Sequence, residues 1–526
     1  MRSIRATGSL VALAGLVAAA SATGAAASPY VPLGQVESST TNVYAGCPPD
    51  GSGVNFPNSE VEPWVDVNPT NQDNFITVYQ QDRYSNGGAK SNAAGVTFDA
   101  GASWTQVAIP QNTRCTGGRY QRASDPWVTF SPNGAAHAMS LVTDPDLPSG
   151  AFGANGMVAN RSTDGGLTWS GPKQLIADEA GRFLNDKNSM TADPNDSRFV
   201  YAVWDRLQVA GSDINAPAEN RRGLGFKGPV YFTRSTNNGV SYEAPRKILE
   251  TGANKQTIGN QIVVEPASRG GSLFDFFDDI TNSSNRLKGL GPMKFAFIRS
   301  DDNGRTWTKP RRADDMLPMA LFRFSGVIDP ESPPAPCPGP DPDGNCPIRA
   351  ADLIPEVAVN RSNGALYGVW QDARFDGFTH DDVAFTQSTD GGNSWSAPVK
   401  VNLTPPNADP DNEQAFTPSV HVADDGTIAV SYFDYRNNTP ADGILGTDHW
   451  VVHCHPSSEN CASPASWNEE SRASTTTFDM RRAPFARGWF VGDYMGLASR
   501  NNEFVSTFGS TDGNGPSSIF TNRLTP

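Results

Sequence analysis

An eight-residue pattern, Ser/Thr-x-Asp-x-Gly-x-Ser/Thr-Trp, recurs along the chain and constrains its fold more than any other feature. Full copies begin at Thr97, Ser162, Ser300 and Ser388, and a degenerate copy begins at Ser235. The Asp carboxylate can accept backbone N–H bonds inside a turn, the Gly can adopt φ > 0, and the closing Trp provides an apolar anchor. Each copy is therefore predicted to be a hairpin turn in a repeated unit.

A second repeat, an alternating strand followed by a turn, occurs through the chain. Its copies are Glu62 to Pro69, Asp125 to Pro132, Lys187 to Pro194, Gly259 to Pro266, Ile354 to Arg361 and Thr417 to Asp424. Another strand follows, and in four units it ends in an Asp–Arg pair: Asp82 with Arg83, Asp205 with Arg206, Asp372 with Arg374, and Asp434 with Arg436. The unit is thus predicted to hold four strands, with the eight-residue turn between the third and the fourth.

Repeated four-stranded sheets of this period predict an all-β fold, a radial β-propeller that leaves few open edges. Six copies of the first strand precede residue 424, and a seventh unit begins at Asp493 but lacks its fourth strand. We expect Tyr30 to Val36 to supply that strand and close the ring. The sequence favours a seven-bladed propeller of four-stranded blades, with six blades as the alternative, in a single domain over residues 28–526.

The first residues predict the compartment. Arg2 and Arg5 precede an apolar run from Leu10 to Ala20, and small residues up to Ala27 offer a cleavage site, so residues 1–27 are predicted to be a secretory signal peptide. No later apolar stretch approaches the ~20 residues that a membrane-spanning helix needs. We expect a secreted, extracellular protein without a membrane span.

The six cysteines fit an oxidising exterior. Proximity in the sequence favours disulfides between Cys337 and Cys346 and between Cys454 and Cys461, and elimination leaves Cys47 with Cys115. Other pairings stay formally open. The segment Ile328 to Ala351, rich in Pro and Cys, is predicted to be a stapled surface loop.

No metal site is predicted. Three histidines, His449, His453 and His455, flank Cys454, but a disulfide would consume the thiol that a zinc site would use. Acidic loops keep calcium open as a cofactor, although no EF-hand spacing is present, and no other cofactor is expected. With 41 Lys and Arg against 56 Asp and Glu, the chain carries a net charge of −15 and would repel phosphate backbones, so nucleic acid is not an expected partner.

Propeller geometry by itself predicts a charged site. If each first strand starts at one face, each second strand returns to that face, so first-strand starts and second-strand ends surround one mouth of the central channel. Its predicted members are Glu62, Asp82, Arg83, Asp125, Lys187, Arg206, Glu356, Asp372, Arg374, Asp434, Arg436 and Tyr494.

Two interpretations of this charged mouth stay open. In the first, carboxylates supply acid and base while basic residues orient a sugar. The substrate-binding residues would then be Glu62, Arg83, Asp125, Lys187, Arg206, Arg374 and Arg436. In the second, each Asp–Arg pair closes a salt bridge between blades. Lys187, Glu356 and Tyr494 break the repeat and are therefore the better functional candidates.

The eight-residue turns resemble the Asp-box, or BNR, repeats of sialidases and sialidase-like propellers. Gly492 to Ala498 is similar to the sialidase motif around the nucleophilic Tyr, and the strand start at Glu356 is similar to the one that carries its partner Glu. The resemblance implies Tyr494 as nucleophile, Glu356 as its activator and Asp82 as acid/base.

The chain departs from that family at one motif. True sialidases carry Arg-Ile-Pro on the first inner strand, and here the stretch is Val61-Glu62-Pro63-Trp64. A glutamate would repel a carboxylate, which counts against sialic acid unless Arg83 or Arg122 holds it.

The resemblance implies a secreted protein acting on a glycan, a sialidase-like glycoside hydrolase of the exo-alpha-sialidase kind. Similar repeats occur in arabinanases and in non-catalytic secreted proteins, so a carbohydrate- or protein-binding propeller is the alternative. A polysaccharide lyase is the third hypothesis, which Lys187 keeps open. The sugar, the linkage, exo or endo action and the oligomeric state are left open by the sequence.

Overall fold

The computed structural model describes residues 29–147, 151–209, 226–281, 292–319, 347–439 and 442–526. The predicted signal peptide and the predicted pair Cys337 with Cys346 lie outside these ranges. Within them the protein is all-β, and its helices are short 3-10 turns at Arg114–Thr116, Ala267–Arg269, Arg374–Asp376, Pro410–Glu413, Pro464–Ser466 and Met480–Arg482. None of the described helices has the length and apolar character needed to cross a membrane.

The strands of the first half follow the predicted repeat. They are β1 (Val31–Pro32), β2 (Val36–Glu37), β3 (Glu60–Val67), β4 (Phe75–Arg83), β5 (Ala89–Thr97), β6 (Thr105–Ala108), β7 (Arg122–Phe130), β8 (Ala136–Thr143), β9 (Asn155–Ser162), β10 (Lys173–Asp178), β11 (Phe183–Ala192), β12 (Val200–Val209), β13 (Phe226–Lys227), β14 (Val230–Ser235) and β15 (Arg246–Leu249).

The second half repeats the arrangement. Its strands are β16 (Lys255–Val264), β17 (Leu273–Thr281), β18 (Met293–Ser300), β19 (Arg311–Met316), β20 (Glu356–Val359), β21 (Leu366–Asp372), β22 (Asp382–Ser388), β23 (Val399–Lys400), β24 (Ala415–Val422), β25 (Ile428–Asp434), β26 (Gly446–Cys454), β27 (Glu469–Arg472), β28 (Phe478–Asp479), β29 (Gly496–Arg500), β30 (Glu503–Ser510) and β31 (Ser518–Thr525).

These strands form antiparallel sheets, five of which are built on a path of four paired strands, and three of those five carry a short additional strand. Examples are β16-β17-β18-β19, β20-β21-β22-β23 and β24-β25-β26-β27, while β3 to β10 form one larger sheet joined by the pairing of β5 with β7. The first strands contact one another in sequence, from β3 through β7, β11, β16, β20 and β24 to β29, and β29 returns to β3. The arrangement is consistent with the predicted propeller.

The N-terminal segment joins the C-terminal sheet. Val31 pairs with Thr525 and Pro32 with Leu524, which gives the order β1-β31-β30-β29, while β2 also pairs with β31. The predicted use of Tyr30 to Val36 as the missing strand is therefore confirmed at the level of pairing.

Apolar side chains fill the space between successive sheets. One cluster joins Met139 on β8 to Trp204 on β12, and another joins Phe295 on β18 to Trp370 on β21. Every residue of β4, β5 and β7 is buried, because these strands are covered on both faces. The predicted disulfides between Cys47 and Cys115 and between Cys454 and Cys461 are present.

The predicted turn hydrogen bonds are present in the repeats. In the first copy the Asp99 carboxylate accepts from Ser103 N at 2.9 Å, Gly101 N donates to Thr97 Oγ1 at 3.0 Å, and Trp104 Nε1 donates to Gly101 O at 3.2 Å. The carboxylate bonds recur at Asp164, Asp302 and Asp390, and Asn237 replaces the aspartate in the degenerate copy. These turns lie between the third and fourth strands, as expected.

Candidate active site

A bulge recurs near the start of five first strands. The register shifts between Val61 and Trp64 in β3, and corresponding shifts occur in β7, β11, β16 and β24. Inside each bulge one residue has positive φ: Glu62 (55°), Asp125 (44°), Lys187 (43°), Gly259 (68°) and Thr417 (49°). Prolines follow three of them, which fits because a bulge leaves a backbone N–H outside the ladder.

Three consecutive bulges carry charged residues where glycine would avoid strain. A non-glycine residue in the left-handed region costs about 1–3 kcal/mol and persists where the surrounding structure imposes it. A bulge also re-aims the side chain that it carries. Glu62, Asp125 and Lys187 are held in this way, and all three side chains turn toward one another.

Lys187 lies at the centre of this group. Its Nζ is 2.6 Å from Asp493 Oδ2, 3.4 Å from Glu62 Oε1 and 3.4 Å from Asp125 Oδ1. Its side chain is 10% exposed, so these contacts are largely withdrawn from solvent. Burial acts to lower the pKa of Lys187, but the surrounding carboxylates outweigh it and raise that pKa well above its ordinary value.

Arg349 completes the group and was not predicted. Its Nε donates to Asp493 Oδ1 at 3.0 Å and its Nη2 donates to Asp493 Oδ2, a two-point contact. Burial acts to raise the pKa of Asp493, but Arg349 and Lys187 outweigh it and hold the pKa below its usual range. Asp493 is therefore an ionised anchor. Arg349 belongs to the predicted loop Ile328 to Ala351, most of which lies outside the described residues, and its backbone N donates to Trp489 O at 2.9 Å.

Glu62 has the opposite electrostatic state. Burial raises the pKa of its carboxyl to about 8, with Lys187 opposing the shift and Asp125 and Asp493 adding to it. Burial and the neighbouring Asp125 carboxylate likewise raise the pKa of Asp186 to about 7. The group thus combines ionised Asp493 with carboxyl groups that retain a proton near neutral pH, the pattern that acid/base chemistry requires.

A cleft of about 160 Å³ opens over this group. Glu62, Asp125, Lys187 and Arg349 line it, together with further residues of both charge signs: Arg83, Arg122, Asp144, Asp186 and Arg487. Arg83 is buried and its guanidinium stands 4.9 Å from the centre of the Phe490 ring, with Arg349 at 4.3 Å from the same ring. Burial lowers the pKa of Arg83 to about 10.

Tyr494 and Glu356 share a smaller cavity of about 20 Å³ with Lys187 and Trp127. That volume has room for one water molecule and none for a sugar. The Tyr494 hydroxyl donates to Pro126 O at 3.1 Å. Burial raises the pKa of Tyr494 well above its ordinary value, and nearby carboxylates add to the shift; burial also raises the pKa of Glu356. Trp64 stacks on Trp127 beside Tyr494, with the centres of the two Trp rings 3.5 Å apart.

Asp82, the predicted acid/base, faces another cavity. Its carboxylate is 2.8 Å from Lys90 Nζ and accepts from Asn58 N at 2.8 Å, and it lies beside Asn42 rather than in the cleft. The second-strand aspartate therefore points away from the residues on the first-strand bulges.

Three predicted substrate-binding arginines also lie outside the cleft. Arg206 pairs with Asp178 on the preceding sheet, and Arg374 pairs with Asp314 on the preceding sheet at 3.1 Å and with Asp372 at 2.8 Å. Arg436 pairs with Asp434 and Glu470 within its own sheet. The contacts of Arg206 and Arg374 join neighbouring sheets, as the alternative interpretation expects, whereas those of Arg436 stay within one sheet. Glu62, Arg83, Asp125 and Lys187 line one cleft.

The sequence matches no protein-family model and no curated protein. Similar solved structures include a protein of unknown function from Dyadobacter fermentans, at 12% identity and TM-score 0.45, over 90% of this chain and 97% of that one. A Hadza microbial sialidase is similar at 13% identity and TM-score 0.45, over 86% of this chain and 75% of that one. An α-L-arabinanase from Penicillium chrysogenum is similar at 11% identity and TM-score 0.39, over 76% and 92%.

Proposed function

We propose that this protein is a secreted seven-bladed propeller that hydrolyses a glycosidic bond in the cleft above Lys187. The observation that carries the proposal is the convergence of Glu62, Asp125 and Lys187 from three strained bulges. Strain of this kind is maintained at sites where side chains must be held in place. A set of structural braces would repeat in every sheet, and this set does not.

The blade count rests on the cyclic contacts of the first strands. Seven first strands, β3, β7, β11, β16, β20, β24 and β29, follow one another around the ring. The last sheet gains its outer strand from β1. Secretion is supported by the two disulfides, which persist in an oxidising compartment.

In the proposed reaction Glu62 is the general acid. Its carboxyl is protonated near neutral pH and can give that proton to the glycosidic oxygen as the bond to the anomeric carbon breaks. Asp125 is the partner carboxylate, and it takes a proton from the water that adds to the anomeric carbon. Both carboxyl groups line the cleft, and each lies 3.4 Å from Lys187 Nζ.

The basic residues of the cleft give the substrate class. Arg83, Arg122 and Arg349 line the cleft beside Lys187, and arginine binds carboxylates and vicinal hydroxyls through paired donors. Asp493 already engages Arg349 and Lys187, and Arg122 donates to Asn86, Gly87 and Ser52. Arg83, whose Nε has no hydrogen-bond partner among the described residues, is therefore the arginine that would meet an anionic sugar. A sialoside or a uronate is the substrate class that we propose first.

The test is hydrolysis of a panel of aryl glycosides, including a sialoside, together with arabinan and uronate-containing polysaccharides. Glu62→Gln should lower turnover by about 10²–10⁴-fold on the active substrate, because the amide cannot give up a proton in this way. Glu60→Gln is the matched control: Glu60 is buried on the same strand, but it bonds Ser39 and Gln81 away from the cleft, so activity should persist.

Each other outcome has a distinct meaning. Unsaturated products that absorb in the ultraviolet would identify a lyase. Binding on a glycan array without turnover would identify a non-catalytic propeller. Equal activity in Glu62→Gln and the native protein would contradict the proposed acid.

The sialidase-like assignment is the second candidate, favoured by the cavity that Tyr494 shares with Glu356. There Tyr494 would be the nucleophile and Glu356 its activator, whereas Asp82, the expected acid/base, faces another cavity beside Lys90. Tyr494→Phe separates the two: turnover should be retained if Glu62 and Asp125 react, and lost if Tyr494 does. The variant loses one hydrogen bond, to Pro126 O, at a cost of about 1 kcal/mol, and its melting temperature is the check on folding.

A further inference from the structure

Two histidines and a glutamate meet on the outer strands of one sheet, away from the cleft. His453 is the next-to-last residue of β26 and pairs directly with Glu469, the first residue of β27. His453 Nε2 is 2.7 Å from Glu469 Oε2, and His455 Nε2 is 3.8 Å from the same oxygen. All three ligand atoms lie within 4.8 Å of one another.

The backbone holds these side chains in position before any ligand binds. His453 and His455 are two residues apart in extended chain, so their rings fall on one side of it. The disulfide between Cys454 and Cys461 closes the turn that follows. Glu459 fixes that turn further, because its backbone N donates to His455 O at 2.9 Å and its carboxylate accepts from His455 N at 2.9 Å.

One of the two histidines has the outer hydrogen bond that is common for a metal ligand. His455 Nδ1 is 3.0 Å from Thr427 Oγ1, which leaves Nε2 to face Glu469. That Nε2 is buried and has no hydrogen-bond partner among the described residues. A metal-bound histidine commonly uses its second ring nitrogen in this way, to fix the ring and its tautomer. The side chains of His455 and Glu469 are 19% and 13% exposed, so an ion can enter from solvent.

A second group of two aspartates and a histidine differs because a lysine already pairs with its carboxylates. Asp376, His380 and Asp382 also meet, but Lys400 Nζ lies 3.2 Å from Asp376 and 2.7 Å from Asp382. The chain thus supplies that group with its own cation. No lysine or arginine in the described ranges forms an ion pair with Glu469.

We propose that His453, His455 and Glu469 bind a divalent transition metal of the zinc class. Two imidazole nitrogens and one carboxylate are a usual ligand set for such an ion, with further positions left for water. Ligand atoms on a tetrahedral zinc ion stand about 3.3 Å apart, between the separations of 2.7 and 3.8 Å found here. The ion would link β26 to β27 beside Tyr30, whose ring centre lies 4.6 Å from that of His453. The site is independent of the proposed hydrolysis.

The experiment is metal titration of the full secreted chain after removal of bound metal with a chelator. Calorimetry with zinc chloride should give one strong site per chain, and cobalt chloride should give visible absorption from histidine-bound cobalt. Glu469→Gln and His455→Gln should each weaken zinc binding by at least about tenfold. Zinc should also raise the melting temperature of the native chain and not that of either variant.

Two controls make the result specific. Glu459→Gln keeps the turn contact through its amide oxygen and should bind zinc as the native chain does. Asp376→Asn changes only the second group and should also bind normally. The proposal is overturned if the native chain binds neither ion at micromolar concentration, if Glu469→Gln and His455→Gln bind like the native chain, or if only Asp376→Asn loses the ion.

Discussion

Replacing Glu62 by Gln should make the protein increasingly stable relative to the native protein as the pH rises, while it removes the proposed acid. The folded state holds the pKa of Glu62 at about 8, against 4.5 for the unfolded chain. Between these values the folded state binds more protons than the unfolded state, so the stability of the native protein falls as the pH rises from 4.5 to 8. Gln at this position does not titrate, so the stability of the variant does not fall with pH for this reason.

The expected magnitude follows from the two pKa values. Each pH unit above 4.5 changes the free energy of unfolding by about 1.4 kcal/mol. The free energy of unfolding of Glu62→Gln minus that of the native protein should therefore be about 3 kcal/mol larger at pH 7 than at pH 4.5. Above pH 8 the difference should level off, because Glu62 is then ionised in both states.

Urea unfolding at pH 4.5, 6, 7 and 8 measures this difference, and urea avoids the screening that a salt denaturant would add. The informative quantity is the change in the gap between variant and native protein, since a constant offset reports only packing. A gap that stays constant over this range, or that shrinks as the pH rises, would refute the assignment of a protonated Glu62. Turnover measured on the same samples shows whether stability and activity move in opposite directions.

Three other perturbations test the structure around the site. Arg374→Ala should lower the free energy of unfolding by about 2 kcal/mol, because buried Asp372 loses its charged donor; glycan binding should be unchanged, and weaker binding by a stable variant would place Arg374 in the site after all. Replacing Cys47 and Cys115 together by Ser should cost about 4 kcal/mol, since that disulfide spans 68 residues. Cys454 and Cys461 span only 7 residues, so their replacement should cost about 2 kcal/mol, and the reverse order in urea unfolding would contradict the chain-entropy argument.

The sequence by itself determined the repeated architecture. The turn around Asp99 is encoded within eight residues, because Asp99 accepts from Thr97 and Ser103, and Gly101 donates to Thr97. The alternation of each strand and the incomplete last unit likewise predicted four-stranded sheets and an N-terminal partner for β31. Such features are local or periodic, and a single sequence displays them directly.

Only the tertiary structure decided which charged residues share the site. A bulge changes which face a side chain takes, so Glu62 turns into the cleft while Asp82, on the paired strand, turns to Lys90. Arg349 and Asp493 are 144 residues apart, and no local sequence pattern in either segment predicts their two-point contact. Side-chain direction at a strained bulge and contact between distant segments depend on how the sheets pack against one another. The sequence therefore predicted a charged mouth, and the structure shows which charged residues lie together.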